Sequence, residues 1–117
     1  MPSEQRDWKF RVRHIIEAAR KILDYTGGMN REQFLRDGKT LDAVVRNFMV
    51  IGEAARRIPQ DVALAHPEVP WADMRAMRNV LAHDYDRVDA DVVWKGVTED
   101  LPKLIPLLTA ILEEEDR

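Results

Sequence analysis

Cysteine is absent from this chain of 117 residues. A chain without cysteine forms no disulfide and holds no metal through thiolate ligands. A reducing environment fits this composition, so we expect a cytoplasmic protein. The histidines His14, His66 and His83 also lack the spacing of metal ligands, and we therefore expect no metal site and no cofactor.

Long apolar runs are also missing. The longest run near the C-terminus, Leu104 to Leu112, has 9 residues, whereas a membrane-spanning helix needs about 20. The N-terminal stretch MPSEQRDWKFR is charged and leads directly into an amphipathic pattern, unlike a secretory signal. We therefore expect neither a membrane span nor a signal peptide.

A strong positive charge is lacking as well. The net charge is −3, which argues against a general nucleic-acid coat protein. The charge is uneven, however: residues 1–60 carry 12 Lys and Arg against 8 Asp and Glu, and residues 61–117 carry 6 against 13. Solvated helix faces are the ordinary explanation, and a surface for a partner is the alternative.

The pattern that is present is helical. The length is that of one domain, residues 1–117, and 45% of the residues are hydrophobic. No strand-like alternation, repeat or low-complexity tract is visible. Apolar residues recur instead at spacings of three and four.

Helix boundaries follow from these spacings and from breaker residues. We predict a first helix from Glu4 to Tyr25, ended by Gly27-Gly28, and a short helical stretch around residues 30–36. Thr40 is the predicted N-cap of a second long helix that ends at Pro59. The segment Gln60 to Pro70 is the predicted longest loop.

The C-terminal half contains two more predicted helices. One runs from about Trp71 to His83, and the next is capped by Asp86 or Asp89. Pro102 and Pro106 lie within the latter and are expected to kink it. Four amphipathic helices with short connections predict an all-α fold, an antiparallel four-helix bundle with a kinked C-terminal helix.

Arg78, His83 and Tyr85 form a polar trio that a helical core does not need. On a helical wheel Arg78 falls in the same sector as Met74 and Leu81, whereas His83 lies about 140° away. An arginine in an apolar sector needs a carboxylate, a path to solvent or a function. Either the helix loosens before His83, or two chains pair about a twofold axis and border one cleft, which we favour.

Histidine and arginine together are sufficient for RNA cleavage. Histidine passes a proton near neutral pH, and arginine binds a phosphoryl group through two donors. The 2′-hydroxyl of RNA is its own nucleophile, so no metal is required. The structural alternative is a capping histidine with Arg78 paired to Glu53 or Asp73.

Longer stretches carry a family resemblance. The segments LDAVVRNFMVIGEAARRIP and HPEVPWADMRAMRNVLAHDYDRVDADVVWKGVTEDLPKLIPLL resemble the HepT-like branch of the HEPN superfamily, also called DUF86. The resemblance runs from about Phe10 to Leu112. Its specific elements include Ile51 to Ala54, Pro70-Trp71 and Met77 to Tyr85, the last of which matches the family's Arg-x4-His-x-Tyr motif. The combined string is far more specific than the polar trio alone.

This resemblance implies an all-helical homodimer that acts as a metal-independent ribonuclease. It implies that Arg78 and His83 are catalytic, with Asn79 as the matched polar residue beside them. It further implies a toxin of a toxin–antitoxin pair, of type II or like type VII, neutralised by a small nucleotidyltransferase. In some such pairs the antitoxin adds AMP to the motif tyrosine, here Tyr85.

Other residues are secondary candidates. Arg46, Arg57 and Arg75, together with Arg56, are candidates for contacts to the RNA backbone, although solvated helix arginines are commoner. Glu53 is a candidate to orient Arg78 or His83, or else a structural ion-pair partner. For Trp71 and Trp94, core or dimer packing is favoured over stacking on bases.

Three functions remain open on the residues alone. The first is a dimeric ribonuclease toxin. The second is a non-catalytic module that binds a nucleotide or docks a nucleotidyltransferase. The third is a plain dimerisation domain, which the arginine in an apolar sector disfavours.

Overall fold

The computed structural model describes residues 3–83 and 88–115, with side chains at 8–77 and 88–114. Every regular element in these ranges is a helix, as predicted. In chain order these are α1 (Ser3–Thr26), α2 (Arg31–Arg36), α3 (Gly38–Arg56), α4 (Gln60–Ala65), α5 (Trp71–His83), α6 (Ala90–Lys95), a π-helical segment (Gly96–Asp100) and α7 (Leu101–Glu115).

The first helix follows the sequence prediction closely. Its buried stripe contains Val12, Ile15, Ala19 and Ile22, which are fully buried and spaced by three or four residues. The helix ends at Thr26, and Gly28 follows with a φ of 79°. Glycine adopts this left-handed conformation without steric cost, so the glycine pair stops α1 as expected.

The predicted N-cap at Thr40 is wrong. The cap is Asp37, one turn earlier, where Asp37 Oδ1 accepts a hydrogen bond from the backbone N–H of Thr40 at 3.0 Å. Thr40 is the third residue of α3 and donates its own hydroxyl to Asp37 Oδ2 at 2.8 Å. An ionised carboxylate has two oxygen atoms that only accept hydrogen bonds. Asp37 therefore accepts from both the backbone N–H and the hydroxyl of Thr40.

The predicted loop from Gln60 to Pro70 is also wrong in part, because it contains α4. Pro59 was expected to end the preceding helix. That helix already ends at Arg56, and Pro59 instead caps α4, accepting from the backbone N–H of Ala63 at 3.0 Å. Proline has a φ suited to a helix start and needs no partner for a missing N–H.

The C-terminal helices begin at Asp89, one of the two predicted caps. Asp89 Oδ1 accepts from the backbone N–H groups of Asp91 and Val92. Regular α-helix is interrupted directly before Pro102, where the N–H of Leu101 donates to the carbonyl of Gly96, the five-residue spacing of a π-turn. Pro106 lies inside α7. The kink itself stays a prediction.

One hydrophobic core joins the helices. Helix α3 contacts α1 on one side and α5 on the other, and α7 packs against α1. The largest fully buried side chains come from α1, α2, α3, α6 and α7 and include Ile15, Phe34, Val44, Val93, Leu101 and Leu108. In residues 3–83 and 88–115, no helix is both long enough and apolar enough to cross a bilayer.

Candidate functional site

Helix α5, which carries the polar motif, is anchored at its first turn. The indole Nε1 of Trp71 donates to the backbone carbonyl of His66 at 3.0 Å, and Trp71 and Met74 are both buried. Trp71 thus has the packing role that the sequence favoured. Since a buried hydrogen bond and two buried side chains hold the same turn, the start of α5 is fixed against the core.

Arg78, Asn79 and His83 lie in α5, whose backbone is helical from Trp71 through His83. Arg78 and His83 are therefore five positions apart on one continuous helix, and His83 is the last residue of that helix. Their side chains lie outside the described residues, as does the whole of Tyr85. The catalytic and regulatory roles of these residues stay predictions.

Glu53 lies on α3 beside two arginines. Its carboxylate oxygens lie 3.5 Å from Arg56 Nη1 and 3.5 Å from Arg57 Nη2. These side chains are 40–55% exposed, and pairs this exposed stabilise little. The pairs join residues three and four apart on one helix, as its turn dictates. The predicted action of Glu53 on Arg78 or His83 stays a prediction.

The arginine candidates for RNA contact do not share one surface. Arg57 is paired with Glu53, and Arg75 and Arg56 line a shallow depression beside α4. Arg46 instead borders a groove of about 250 Å³ between α1 and α3. Arg46 therefore lines a different depression from Arg56 and Arg75.

This α1–α3 groove brings together residues that sequence reasoning did not combine. His14, Glu17, Lys21 and Tyr25 come from α1, and Arg46 and Asn47 come from α3. All six are polar, and all but Asn47 are exposed. The spacing within α1 was available from the sequence, but the pairing of α1 with α3 was not.

A second cavity, of about 420 Å³, lies between α3, α5 and α7. Its walls are mostly apolar and include Phe48, Ile51, Met74, Met77, Leu101, Leu104 and Leu107. Among the residues whose side chains are described, three carboxylates, Glu68, Asp73 and Asp100, and one cation, Lys103, also line this cavity.

The two histidines whose side chains are described, His14 and His66, each contact a neighbouring side chain. His66 is buried, and its Nδ1 lies 3.5 Å from Glu68 Oε2. His14 lies on the surface against Phe10, with ring centroids 5.9 Å apart. Among the residues described, no three His, Cys, Asp or Glu side chains are grouped to hold a metal.

Comparison with known proteins identifies the family. The model of the family described as Ribonuclease HepT-like matches residues 15–111. A protein of Thermococcus cleftensis named "Probable ribonuclease HepT" is 44% identical over 100 residues, which cover 86% of this chain and 91% of that protein. "Putative RNase MJ0127" of Methanocaldococcus jannaschii is 35% identical over 100 residues, covering 86% of this chain and 83% of that protein.

A third relative, "Putative RNase MJ1380" of the same organism, is 36% identical over 100 residues, covering 86% of this chain and 92% of that protein. No solved structure matches the chain significantly. The family match covers most of the chain and includes the whole of α5 with its Arg78–His83 pair. The chain therefore belongs to the HepT-like ribonuclease family.

Proposed function

We propose that this ribonuclease is a metal-independent RNA endonuclease whose catalytic residues are Arg78 and His83 in the cleft of a homodimer. The observation that carries the proposal is the continuous helix from Trp71 through His83 in a member of a ribonuclease family. On a regular helix, side chains five residues apart point in directions that differ by about 140°. One helix therefore presents the two groups to one phosphate poorly, which supports a second chain as the source of one of them.

The proposed chemistry uses the 2′-hydroxyl of the RNA as the nucleophile. An imidazole of His83 accepts its proton as the oxygen attacks phosphorus, and the bond from phosphorus to the 5′-oxygen breaks. The leaving oxygen takes a proton, so the products are a 2′,3′-cyclic phosphate and a 5′-hydroxyl. A twofold dimer supplies two histidines, one to accept and one to donate, and Arg78 stabilises the charge that develops on phosphorus.

Asn79 and Glu53 support this pair in the proposal. The dimer is built on an antiparallel helical bundle, with the residues 1–117 as one domain. Both Asn79 and the motif residues are on α5, whereas Glu53 is on α3, which packs against α5. In the proposal the carboxylate of Glu53 orients a catalytic group of α5.

The biological setting that we propose is a toxin–antitoxin pair. A nucleotidyltransferase antitoxin transfers AMP from ATP: the phenolic oxygen of Tyr85 attacks the α-phosphorus and pyrophosphate leaves. The adenylate places a negative phosphate two residues from His83, where it competes for Arg78 and fills the cleft. Tyr85 is then an off switch rather than a catalyst.

The test is cleavage of RNA in excess chelator. We expect wild-type protein to cleave and to leave cyclic phosphate ends, which mass spectrometry detects. His83→Ala and Arg78→Ala each lower the rate by about 10²–10⁴-fold while the circular dichroism spectrum and the dimer mass are unchanged. Cleavage that requires magnesium, or that survives either substitution, contradicts the mechanism.

The alternative is a non-catalytic subunit that binds a nucleotide or docks a nucleotidyltransferase. The α1–α3 groove, which contains Lys21, Arg46 and Tyr25 together with Glu17, is the observation that favours it. Binding of the nucleotidyltransferase by a wild-type chain that never cleaves RNA supports this alternative.

A further inference from the structure

Helix α1 presents an outward stripe of five residues that no part of the proposed catalytic mechanism uses. They are Phe10, His14, Glu17, Lys21 and Tyr25, spaced by four, three, four and four positions. At 100° per residue all five lie within about 80° of one another, and all five are exposed. We call them the α1 stripe.

The ends of the α1 stripe are exposed aromatic rings. The side chain of Phe10 is 56% exposed and that of Tyr25 is 44% exposed. Large apolar side chains that remain in solvent mark a contact surface more often when they recur on one face. Among the described residues, the other large hydrophobic side chains that are exposed are Leu64 and Val92. These two residues lie on α4 and α6 rather than on α1.

Cations lie between and beside these rings. Lys21 of the stripe lines the α1–α3 groove together with Arg46, and the guanidinium carbon of Arg11 lies 5.6 Å from the centroid of the Phe10 ring. Arg13 and Arg20 line the other flank of α1. The one acidic group in the stripe is Glu17, whose Oε1 lies 3.7 Å from Lys21 Nζ on the exposed surface.

Exposed rings and cations occur together on this side of α1, and both kinds of group bind single-stranded nucleic acid. Exposed aromatic side chains stack on bases without regard to sequence, and lysine and arginine follow the phosphates. The rise along α1 from Phe10 to Tyr25 is about 22 Å, a length of roughly six stacked nucleotides.

We infer that the α1 stripe and Arg46 bind a single-stranded segment of the RNA substrate, with Phe10 and Tyr25 stacked on bases and with Lys21 and Arg46 on phosphates. The inference rests on the proposed ribonuclease function, since it assigns that function's substrate a path. It adds an RNA-binding surface remote in sequence from the Arg78–His83 motif. The surface positions the strand and takes no part in the bond-breaking step.

The test is binding of a fluorescein-labelled, single-stranded 2′-O-methyl RNA of 12 nucleotides to the full chain. This probe lacks the free 2′-hydroxyl, so binding is measured without cleavage. Fluorescence anisotropy at a series of salt concentrations gives the slope of the binding constant against salt. Each phosphate contact to single strands contributes about 0.7 to that slope.

We expect Lys21→Ala/Arg46→Ala to reduce the salt slope by about 1.4 and to weaken binding at low salt. Phe10→Ala and Tyr25→Ala each weaken binding by about tenfold with little change in slope, whereas Tyr25→Phe keeps the ring and binds nearly as wild type. The matched controls are Arg36→Ala/Lys95→Ala, which removes two charges outside the groove, and Leu64→Ser, which removes an exposed apolar side chain from α4.

Equal loss in the control and stripe variants, or unchanged binding in the stripe variants, overturns the inference. Sedimentation supplies another overturning outcome, because a stripe variant that loses the dimer shows that the face is an interface between copies. A stripe variant that binds RNA normally but fails to bind the nucleotidyltransferase assigns the face to that protein instead.

The two proposals fail separately. Wild-type protein that cleaves RNA, with stripe variants that bind the probe normally, overturns only the RNA path. Wild-type protein that binds the probe through the stripe but never cleaves RNA supports the path and overturns the catalytic proposal.

Discussion

The ring of Phe48 on α3 lies against the backbone of Gly96, where α6 passes into the π-helical segment. A β-carbon on Gly96 would lie 3.1 Å from Phe48 Cζ, and both residues are buried. The glycine therefore allows a close approach between the C-terminal helices and α3. Its backbone is ordinary right-handed helix, so the requirement is for space rather than for an unusual φ.

Gly96→Ala is expected to lower the free energy of unfolding by about 1 kcal/mol. Alanine gains about 1 kcal/mol of helix propensity, but overpacking a core costs about 1–3 kcal/mol. In a Phe48→Leu background the clash is relieved, and Gly96→Ala then stabilises. Urea unfolding of the four proteins gives the coupling. An effect of the same size and sign in both backgrounds contradicts the contact.

Trp71→Phe is expected to lower the free energy of unfolding by about 1 kcal/mol, because it removes the indole donor to the His66 carbonyl. That carbonyl still accepts from the backbone N–H of Val69 at 3.2 Å, which limits the loss. Thermal unfolding followed by circular dichroism measures it. Trp94→Phe is the matched control. The ring of Trp94 lies 5.0 Å from that of Phe34 between centroids, and the substitution keeps an aromatic ring there. We expect it to lower the free energy of unfolding by less than Trp71→Phe does.

Asp37 makes part of the stability depend on pH. Hydrogen bonds from the backbone and side chain of Thr40 hold the pKa of the Asp37 carboxyl below its ordinary value. The ionised form is therefore favoured by folding. Its contribution is present above the pKa of an unfolded aspartate, about 3.9, and is lost as the pH falls through the lower folded pKa.

Asp37→Asn is the informative substitution, because asparagine also caps helices but does not titrate. We expect wild type to exceed Asp37→Asn in unfolding free energy near neutral pH. The difference should narrow as the pH falls below about 4. Urea unfolding between about pH 3 and pH 7 measures this. A constant difference across that range excludes the carboxylate as its source.

Glu53→Gln tests the proposed positioning role on α3. If the carboxylate orients a catalytic group, kcat falls by about tenfold while KM changes little, since ground-state binding of RNA is retained. Glu32→Gln removes an exposed acidic group from α2 and serves as the control. Equal small effects in both variants mean that Glu53 does not orient a catalytic group.

Tyr85→Phe separates regulation from catalysis. The phenylalanine lacks the oxygen that accepts AMP, so we expect no labelling from ATP carrying a radioactive α-phosphate in the presence of the nucleotidyltransferase. Cleavage of RNA should persist and should no longer be inhibited by that enzyme. If the variant loses cleavage as fully as His83→Ala, the tyrosine is catalytic and the switch proposal fails.

Much of the fold was predictable from local chemistry. Apolar spacing located α1, α3, α5 and the C-terminal helices, because a helix must bury one stripe wherever it packs. The Gly27-Gly28 stop was correct, and so was Asp89 as one of the two predicted caps, because both act on the backbone next to them. The errors at Thr40 and in α4 are also local: two capping residues one turn apart competed, and a short amphipathic turn between prolines has little pattern to detect.

The sequence by itself determined the helical class, the family and the motif on α5, since periodicity and motif spacing are properties of the chain. Only the tertiary structure decided that α1 lies against α3, and hence that Lys21 and Arg46 border one groove between exposed aromatic rings. A helical pattern specifies which face is buried but not the helix that covers it. Contacts between residues far apart in the chain follow from packing, which no single stripe encodes.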